Sequence, residues 1–562
     1  MKVSVRTQTS RPKAATSPHA DRVEQPSTAG KVFLSGVMVL TLSTVLVKLI
    51  GLFYKIPMLH YLGSEGMGYF NAAYEWYGTL CIITTSGLPL ASSMLIAEAR
   101  AAGDAASIRH IERMTLGLFL TLGTLGTALL LLGAPAIARL IGSPDTAYAL
   151  AAVAPTLFFS CLSGAYRGYF QGHQDMLPTA ISQIIEALGK LMLGLGFAVF
   201  AWRRGMSAPH IAAWAMLGLG IGVAISAFYL VLHRRRYSPV LREVALEKKT
   251  AGAGKRSMRR LLSLAVPMTI SSSVLSLTRL FDMTMILRRL QDVGYDTAGA
   301  NALYGGYTTM AVPIFNLIPS LITSVALALV PTLSSAIEAG DRTSQKVTAQ
   351  SAVRLTALLA LPATLAVAIY SRTILSLLFQ GEVSAVQATY PLLSILSLSI
   401  FFSSLITVTN AILQAYGHVT IPIVSMLIGS LVKLIGAYLL IGLPALNIYG
   451  APISTFLCDS VIVGINLVMI AKYTDVLGSL RASLLRPLWI SLVSVGLPAI
   501  VYALLGRAGY SEIGLFLAAV PLTLAFFAVL GIRFGLIGEQ ELAMLPQGIA
   551  KRLTALLHVT QR

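Results

Sequence analysis

Apolar stretches of near membrane-spanning length recur along this chain, at 32–62, 66–97, 114–134, 147–170, 179–201 and 209–232, and then at 261–287, 300–331, 354–371, 386–411, 420–442, 450–471, 487–506 and 512–532. A helix needs about 20 predominantly apolar residues to cross a bilayer, so the pattern predicts fourteen transmembrane helices. The longest polar break between spans, HRRRYSPVLREVALEKKTAGAGKRSMRR at 233–260, falls after six of them. The expected fold is therefore an all-α integral membrane protein of about fourteen transmembrane helices: two pseudo-symmetric six-helix lobes at 31–232 and 261–471, a basic cytoplasmic linker at 233–260 and an accessory helix pair at 472–533. Residues 1–30 are polar, basic and without periodicity, which predicts a disordered cytoplasmic tail, and 534–562 a second cytoplasmic tail. The first apolar stretch after Lys31 is too long for a signal-peptide core and lacks a small-residue cleavage site, so it is expected to persist in the mature protein.

Internal similarity supports the division into lobes. AISQIIEALGK (180–190) aligns without a gap over IVSMLIGSLVK (423–433), and the same offset of 243 residues sets Gln171 over Gln414, Ser182 over Ser425 and Lys190 over Lys433. A second match, ASSMLIAEARAAGD (91–104) against ALVPTLSSAIEAGD (328–341), has an offset of 237, a difference that loops absorb. Membrane repeats of this kind belong to transporters that hold substrate between two halves. Gly51, Pro57, Gly87, Pro89, Pro178 and Pro422 loosen or kink the helices they occupy.

Composition agrees: 56% of the 562 residues are hydrophobic, 12% are charged and the mean hydropathy is +0.76. The formal net charge of +19 raises the question of nucleic acid. Its distribution answers it, because 30 of the 42 Lys and Arg fall in tails and loops on one proposed side, seven on the other and five within spans. That asymmetry is the positive-inside signal of a multi-pass protein with both termini cytoplasmic, and it argues against a nucleic-acid partner. Cys81, Cys161 and Cys458 all lie in apolar segments without ligand-like spacing and read as buried thiols.

The five cations within spans carry the candidate chemistry: Lys48, Lys55, Lys190, Arg279 and Lys433. Intramembrane charges cost several kcal/mol unless paired or turned to a polar cavity. Glu186 and Lys190 are four apart and Arg279 and Asp282 three apart, so each pair either neutralises itself locally or faces such a cavity. Lys48 and Lys55 share a helix face roughly 10 Å apart along the axis, with no acid within a turn. Lys55 either snorkels to the interface or faces the cavity, whereas Lys48 is deeper and reads as a cavity residue. Lys433 has no local acid, and Asp459 on the next span is the one within reach. Glu75, in YEWYG (74–78), reads either as a proton or cation site or as an interfacial or paired carboxylate.

No Walker A sequence, metal-ligand cluster or insertion of catalytic size is present, so the reading is a non-enzyme with no cofactor or metal. The segments KLIGLFYKIPMLHYLGSEGMGYFNAAYEWYGTL (48–80), SGLPLASSMLIAEARAAGD (86–104) and LQAYGHVTIPIVSMLIGSLVKLIGAYLL (413–440) resemble the stage V sporulation protein B and polysaccharide-flippase group. That group belongs to the multidrug/oligosaccharidyl-lipid/polysaccharide (MOP) exporter superfamily. The resemblance implies fourteen helices in two lobes around a central cavity and includes lipid II flippases, which use cationic cavity residues with an Arg in the first span. By motif position Lys48 is its counterpart, keeping the charge without the bidentate geometry.

The expected function is movement of a polyprenyl-diphosphate-linked glycan, lipid II-like or a polysaccharide repeat unit, to the outer leaflet of a bacterial cell membrane by alternating access. Lys48, Lys55, Arg279 and Lys433 are the expected substrate-binding cations, and Glu75, Glu186, Lys190, Asp282 and Asp459 the ion, proton or pairing sites. Expected partners are the lipid-linked oligosaccharide, membrane lipid and cell-wall synthesis proteins. A cation-coupled multidrug exporter of the same superfamily and a membrane-embedded glycan ligase are the alternatives.

Overall fold

The computed structural model describes residues 28–236, 253–474, 480–508 and 510–534. Most of the proposed tails, at 1–30 and 534–562, and the middle of the linker at 233–260 lie outside the described residues. In chain order the helices are α1 (Thr28–Thr85), α2 (Gly87–Ala101), α3 (Ala105–Ile141), α4 (Thr146–Gly172), α5 (Leu177–Arg203), α6 (Ala208–Arg236), α7 (Ala253–Asp292), α8 (Thr297–Glu338), α9 (Arg342–Leu378), α10 (Val383–Ala415), α11 (Thr420–Ile441), α12 (Gly450–Tyr473), α13 (Leu480–Arg507) and α14 (Glu512–Arg533). Among the described residues thirteen helical runs are long and apolar enough to cross a membrane. The sequence pattern separates fourteen, whereas here its first two spans run on from α1 into α2, kinked at Gly63, where φ 66° and ψ 174° are open to a residue without a Cβ, and bent again at Ser86 between the two helices. Side chains such as Leu132, 81% exposed, and Met192, 70% exposed, are compatible with lipid and not with water.

The helices overrun the apolar stretches because hydrogen bonding continues into polar turns until a cap stops it. Helix α3 begins nine residues before its apolar run, at Ala105, and is capped by Asp104, whose Oδ1 accepts the Ser107 N–H at 2.9 Å and whose Oδ2 accepts the Ser107 hydroxyl at 2.6 Å. These bonds hold the Asp104 carboxyl below the usual carboxylate range. Asp296 and Asp341 cap α8 and α9 in the same way.

Helices α1 to α6 pack on one another, as do α7 to α12, and α13 and α14 rest against α9. The two groups meet where the second half of α1, with α2, runs along α7 and the start of α8. Thr79 donates to the Ser276 carbonyl, and Glu98 pairs with Arg260 at 2.9 Å near the end of this seam. Gly68 and Gly305 let the backbones touch: a Cβ on Gly68 would enter the Asn301 carbonyl, and one on Gly305 would enter the Ser64 carbonyl and the Gly68 amide. Gly68→Ala is therefore expected to destabilise the fold by about 1–3 kcal/mol, the range for overpacking a close contact. Gly117→Ala, whose Cβ meets nothing within 4 Å, serves as the control. Thermal unfolding in detergent checks this, and equal midpoints for the two variants would remove the close-approach argument.

Candidate functional site

A cavity of about 500 Å³ opens between the first helix group and α8. Its polar wall is built by helical spacing. Gln183, Glu186 and Lys190 fall on one face of α5, Asn71 and Glu75 on one face of α1 beyond Gly63, and Arg167 reaches in from α4. Glu186 bridges two cations, with Oε1 accepting from Lys190 Nζ at 2.8 Å and Oε2 from Arg167 at 2.9 Å. Arg167 Nε also donates to Ser182 Oγ at 2.9 Å, so the guanidinium is fixed from two sides. The Lys190 ammonium stands 5.9 Å from the centroid of the Tyr74 ring, which stacks on Phe70.

On the facing wall, α8 makes a π-turn over Tyr307–Ala311. Such turns free carbonyls from the regular ladder. Lys55 Nζ donates to the Thr308 carbonyl at 2.9 Å, and Asn71 Nδ2 donates to the Thr308 and Thr309 hydroxyls at 3.0 and 2.8 Å. A second π-turn, Lys190–Gly194 in α5, begins at the lysine of the triad. Glu75 is the cavity's other acid. Among the described residues it makes no hydrogen bond or ion pair, and Arg279 and Lys55 are the cations acting on it most strongly.

The second helix group holds its own buried polar cluster. Lys433 Nζ on α11 pairs with Asp282 Oδ2 on α7 at 2.8 Å, with both side chains under 20% exposed. Tyr307 on α8 lies beside this pair. Asp459 on α12 is the remaining acid, and its Oδ2 is buried with no hydrogen-bond partner among the described residues. A smaller cavity of about 230 Å³ lies against the other side of Arg167 and Glu186, lined also by Tyr77, Cys81 and Gln171. Among the described residues no group of three or more His, Cys, Asp or Glu could hold a metal ion.

Of the residues singled out from sequence, Lys55, Glu75, Glu186 and Lys190 line the main cavity, whereas Arg279, Lys433, Asp282 and Asp459 are not among its lining residues. Glu186 and Lys190 do bond to each other. Asp282 bonds to Lys433 and not to Arg279, which points its guanidinium at Ser276 Oγ at 3.3 Å and is exposed. Lys433 accordingly takes its acid from α7 and not from Asp459. Lys48 lies on α1 between the lining residues Val47 and Ile50, and its side chain is outside the described ones. Arg167, Asn71, Gln183 and Thr308 were not reached from sequence. Arg167 lies three residues from the inner end of the stretch 147–170 and is grouped there with the inner-side cations, and the only cue to that helix end was the Gln171–Gln414 repeat match four residues on.

Comparison with known proteins agrees with this architecture. The profile of the family described as "Polysaccharide biosynthesis protein" matches residues 33–337, and the MatE profile matches 299–439. The chain is 28% identical to stage V sporulation protein B of Bacillus subtilis (strain 168) over 429 residues, covering 76% of this chain and 81% of that protein. It is 25% identical to the lipid II flippase MurJ of the same organism, covering 72% and 76% respectively. A solved structure of lipid II flippase MurJ in an inward closed conformation superposes with a TM-score of 0.66 at 15% identity, covering 88% of this chain and 98% of that one, which establishes a shared fold. Lipid II flippases, which are transporters and not enzymes, are thus among the proteins this chain is similar to.

Proposed function

The chain belongs to the polysaccharide biosynthesis protein family of the MOP superfamily of flippases and exporters, and from that premise we propose that it moves a polyprenyl-diphosphate-linked glycan from the inner to the outer leaflet. The observation that supports this reading is the charge content of the main cavity, where Lys55, Arg167 and Lys190 face Glu75 and Glu186. A diphosphate leaving water needs fixed cations in place of its hydration. This wall supplies two that are already held by hydrogen bonds and a third, Lys55, whose present acceptor is a neutral carbonyl. Lys48, at the cavity's edge by position, is the fourth proposed cation. In this reading the two helix groups act as lobes that rock about the α1–α8 seam while the polyprenyl chain stays in lipid. The setting is the bacterial cytoplasmic membrane, with both termini cytoplasmic and cell-wall synthesis proteins as neighbours. Arg279 and Lys433, away from the cavity in this state, are proposed to meet substrate only after rearrangement.

One observation favours a second reading. Glu75 faces the cavity without an ion-pair partner among the described residues, as a carboxylate serving a cation-coupled multidrug exporter would. The two readings separate in a bacterium depleted of its own lipid II flippase, by measuring how much lipid-linked precursor becomes accessible to an external probe. Restored exposure is expected. A folded, membrane-inserted protein that restores none, while lowering accumulation of a cationic dye, would replace the first reading with the second.

A further inference from the structure

The cavity of about 230 Å³ beyond the Arg167–Glu186 pair has no part in holding a diphosphate, and its lining differs chemically from that of the main cavity. Two helix faces build it. Tyr77, Cys81 and Thr85 recur every fourth residue along α1, and Ser160, Gly164, Arg167 and Gln171 follow at three- and four-residue steps along α4, so each set lines one side of a groove. Arg167 and Glu186 line both cavities, and their ion pair is a partition between the two spaces. At the far end of the groove, Gln171 is the last residue but one of α4. In the orientation proposed above this is the cytoplasmic end, the side from which an inner-leaflet headgroup arrives.

Charge distinguishes the two spaces. Lys55, Lys190 and Glu75 line the main cavity and not this one. Here the cation and the carboxylate among the lining residues are already bonded to each other at 2.9 Å. An anion would find a neutralised pair on this side, whereas across the partition Lys55 has only a carbonyl as acceptor. What the groove offers instead is neutral hydrogen-bonding capacity. The Tyr77 and Ser160 hydroxyls lie 2.7 Å apart across it, and their mutual bond uses one of their two protons, leaving the other to donate. The Gln171 amide makes no side-chain hydrogen bond among the described residues, so its N–H donors and its oxygen are all available. Arg167 spends donors on Glu186 and Ser182 and retains others. Gln171 is also the position that the internal repeat sets over Gln414, and the cation-based reading leaves it unused. A ligand that fits this lining is neutral and carries closely spaced hydroxyl and amide groups. We propose that the groove is a sugar subsite, holding the first sugar ring of the headgroup through Gln171, Tyr77 and Ser160 while the attached diphosphate lies against the cations of the main cavity. The inference rests on the flippase reading and makes Gln171 and Tyr77 specificity-determining residues, because groups placed to bond substrate hydroxyls discriminate against the analogue that lacks them.

The experiment measures binding of two probes to the purified full chain in detergent: a polyprenyl diphosphate, and the same lipid carrying one N-acetylhexosamine. Wild type is expected to bind the glycosylated probe about thirty-fold more tightly, from two neutral hydrogen bonds. Gln171→Leu/Tyr77→Phe is expected to bind both probes alike, at the affinity wild type shows for the bare diphosphate, whereas Lys55→Gln weakens both by the same factor. Equal binding of the two probes by wild type, or an undiminished preference in the double variant, overturns the sugar subsite and leaves the diphosphate reading standing. Binding of neither probe by wild type overturns both. Should the double variant not fold, Gln171→Leu decides alone, since it removes no side-chain hydrogen bond of the described fold: its preference is expected to fall about five-fold, from one neutral hydrogen bond, and an unchanged preference overturns the proposal.

Discussion

Glu186→Gln is expected to lower the stability of the folded protein by about 3 kcal/mol, because it leaves two cations without their shared carboxylate. The carboxylate accepts from Lys190 at 2.8 Å and Arg167 at 2.9 Å, and the three side chains are only 20–22% exposed. A fully dry site would lose more, but water in the cavity discounts the loss. Arg167 also keeps its bond to Ser182 Oγ, so the remaining strain is the mutual repulsion of two ammonium-type charges across the space Glu186 occupied. The control is the triple variant Arg167→Gln/Glu186→Gln/Lys190→Gln, which removes the charges together and is expected to recover most of the loss. Thermal unfolding in detergent reads the difference. A single variant that melts with wild type would mean that the triad contributes nothing to the fold.

That triad shows what hydropathy and spacing reach. The i,i+4 relation of Glu186 and Lys190 is a property of one helix and so is visible in the chain, but Arg167 arrives from α4, where it sits five residues from the helix end and reads as one more inner-side cation of the positive-inside pattern. Asp282 makes the complementary point. Its i−3 neighbour Arg279 is a local partner by spacing, yet the carboxylate is bonded to Lys433, 151 positions further on, because α7 turns Asp282 toward α11 and leaves Arg279 exposed. The repeat reading set Lys190 over Lys433. Both lysines are paired with an acid, taken from the same helix in one half and from a neighbouring helix in the other. The spans themselves were legible because bilayer thickness imposes one length on every crossing. The π-turn of α8 was not, since nothing in YTTMA marks a change from i→i−4 to i→i−5 bonding.

Lys55→Gln is expected to weaken substrate engagement by about ten- to a hundred-fold, equivalent to losing one hydrogen bond to a charged group, while leaving the seam between the helix groups intact. The lysine has two uses in this geometry. Its ammonium lines the cavity, and it also ties α1 to α8 through the Thr308 carbonyl at 2.9 Å. An anion entering the cavity is a better acceptor than a carbonyl, so binding would draw Lys55 off α8 and leave only the two Asn71 bonds, to Thr308 and Thr309, at that point of the seam. Glutamine can still donate to the carbonyl and keep the tie, but it brings no charge to the substrate. Asn71→Ala does the reverse, keeping the cation and removing two neutral bonds of about 1 kcal/mol each. Amide hydrogen exchange across Tyr307–Ala311 is therefore expected to quicken in Asn71→Ala and to stay near wild type in Lys55→Gln, whereas the concentration dependence of transport moves mainly in Lys55→Gln. If both variants loosen α8 equally and leave that dependence unchanged, Lys55 is a structural tie alone, and the cation that answers a diphosphate must be sought at Arg167 or Lys190.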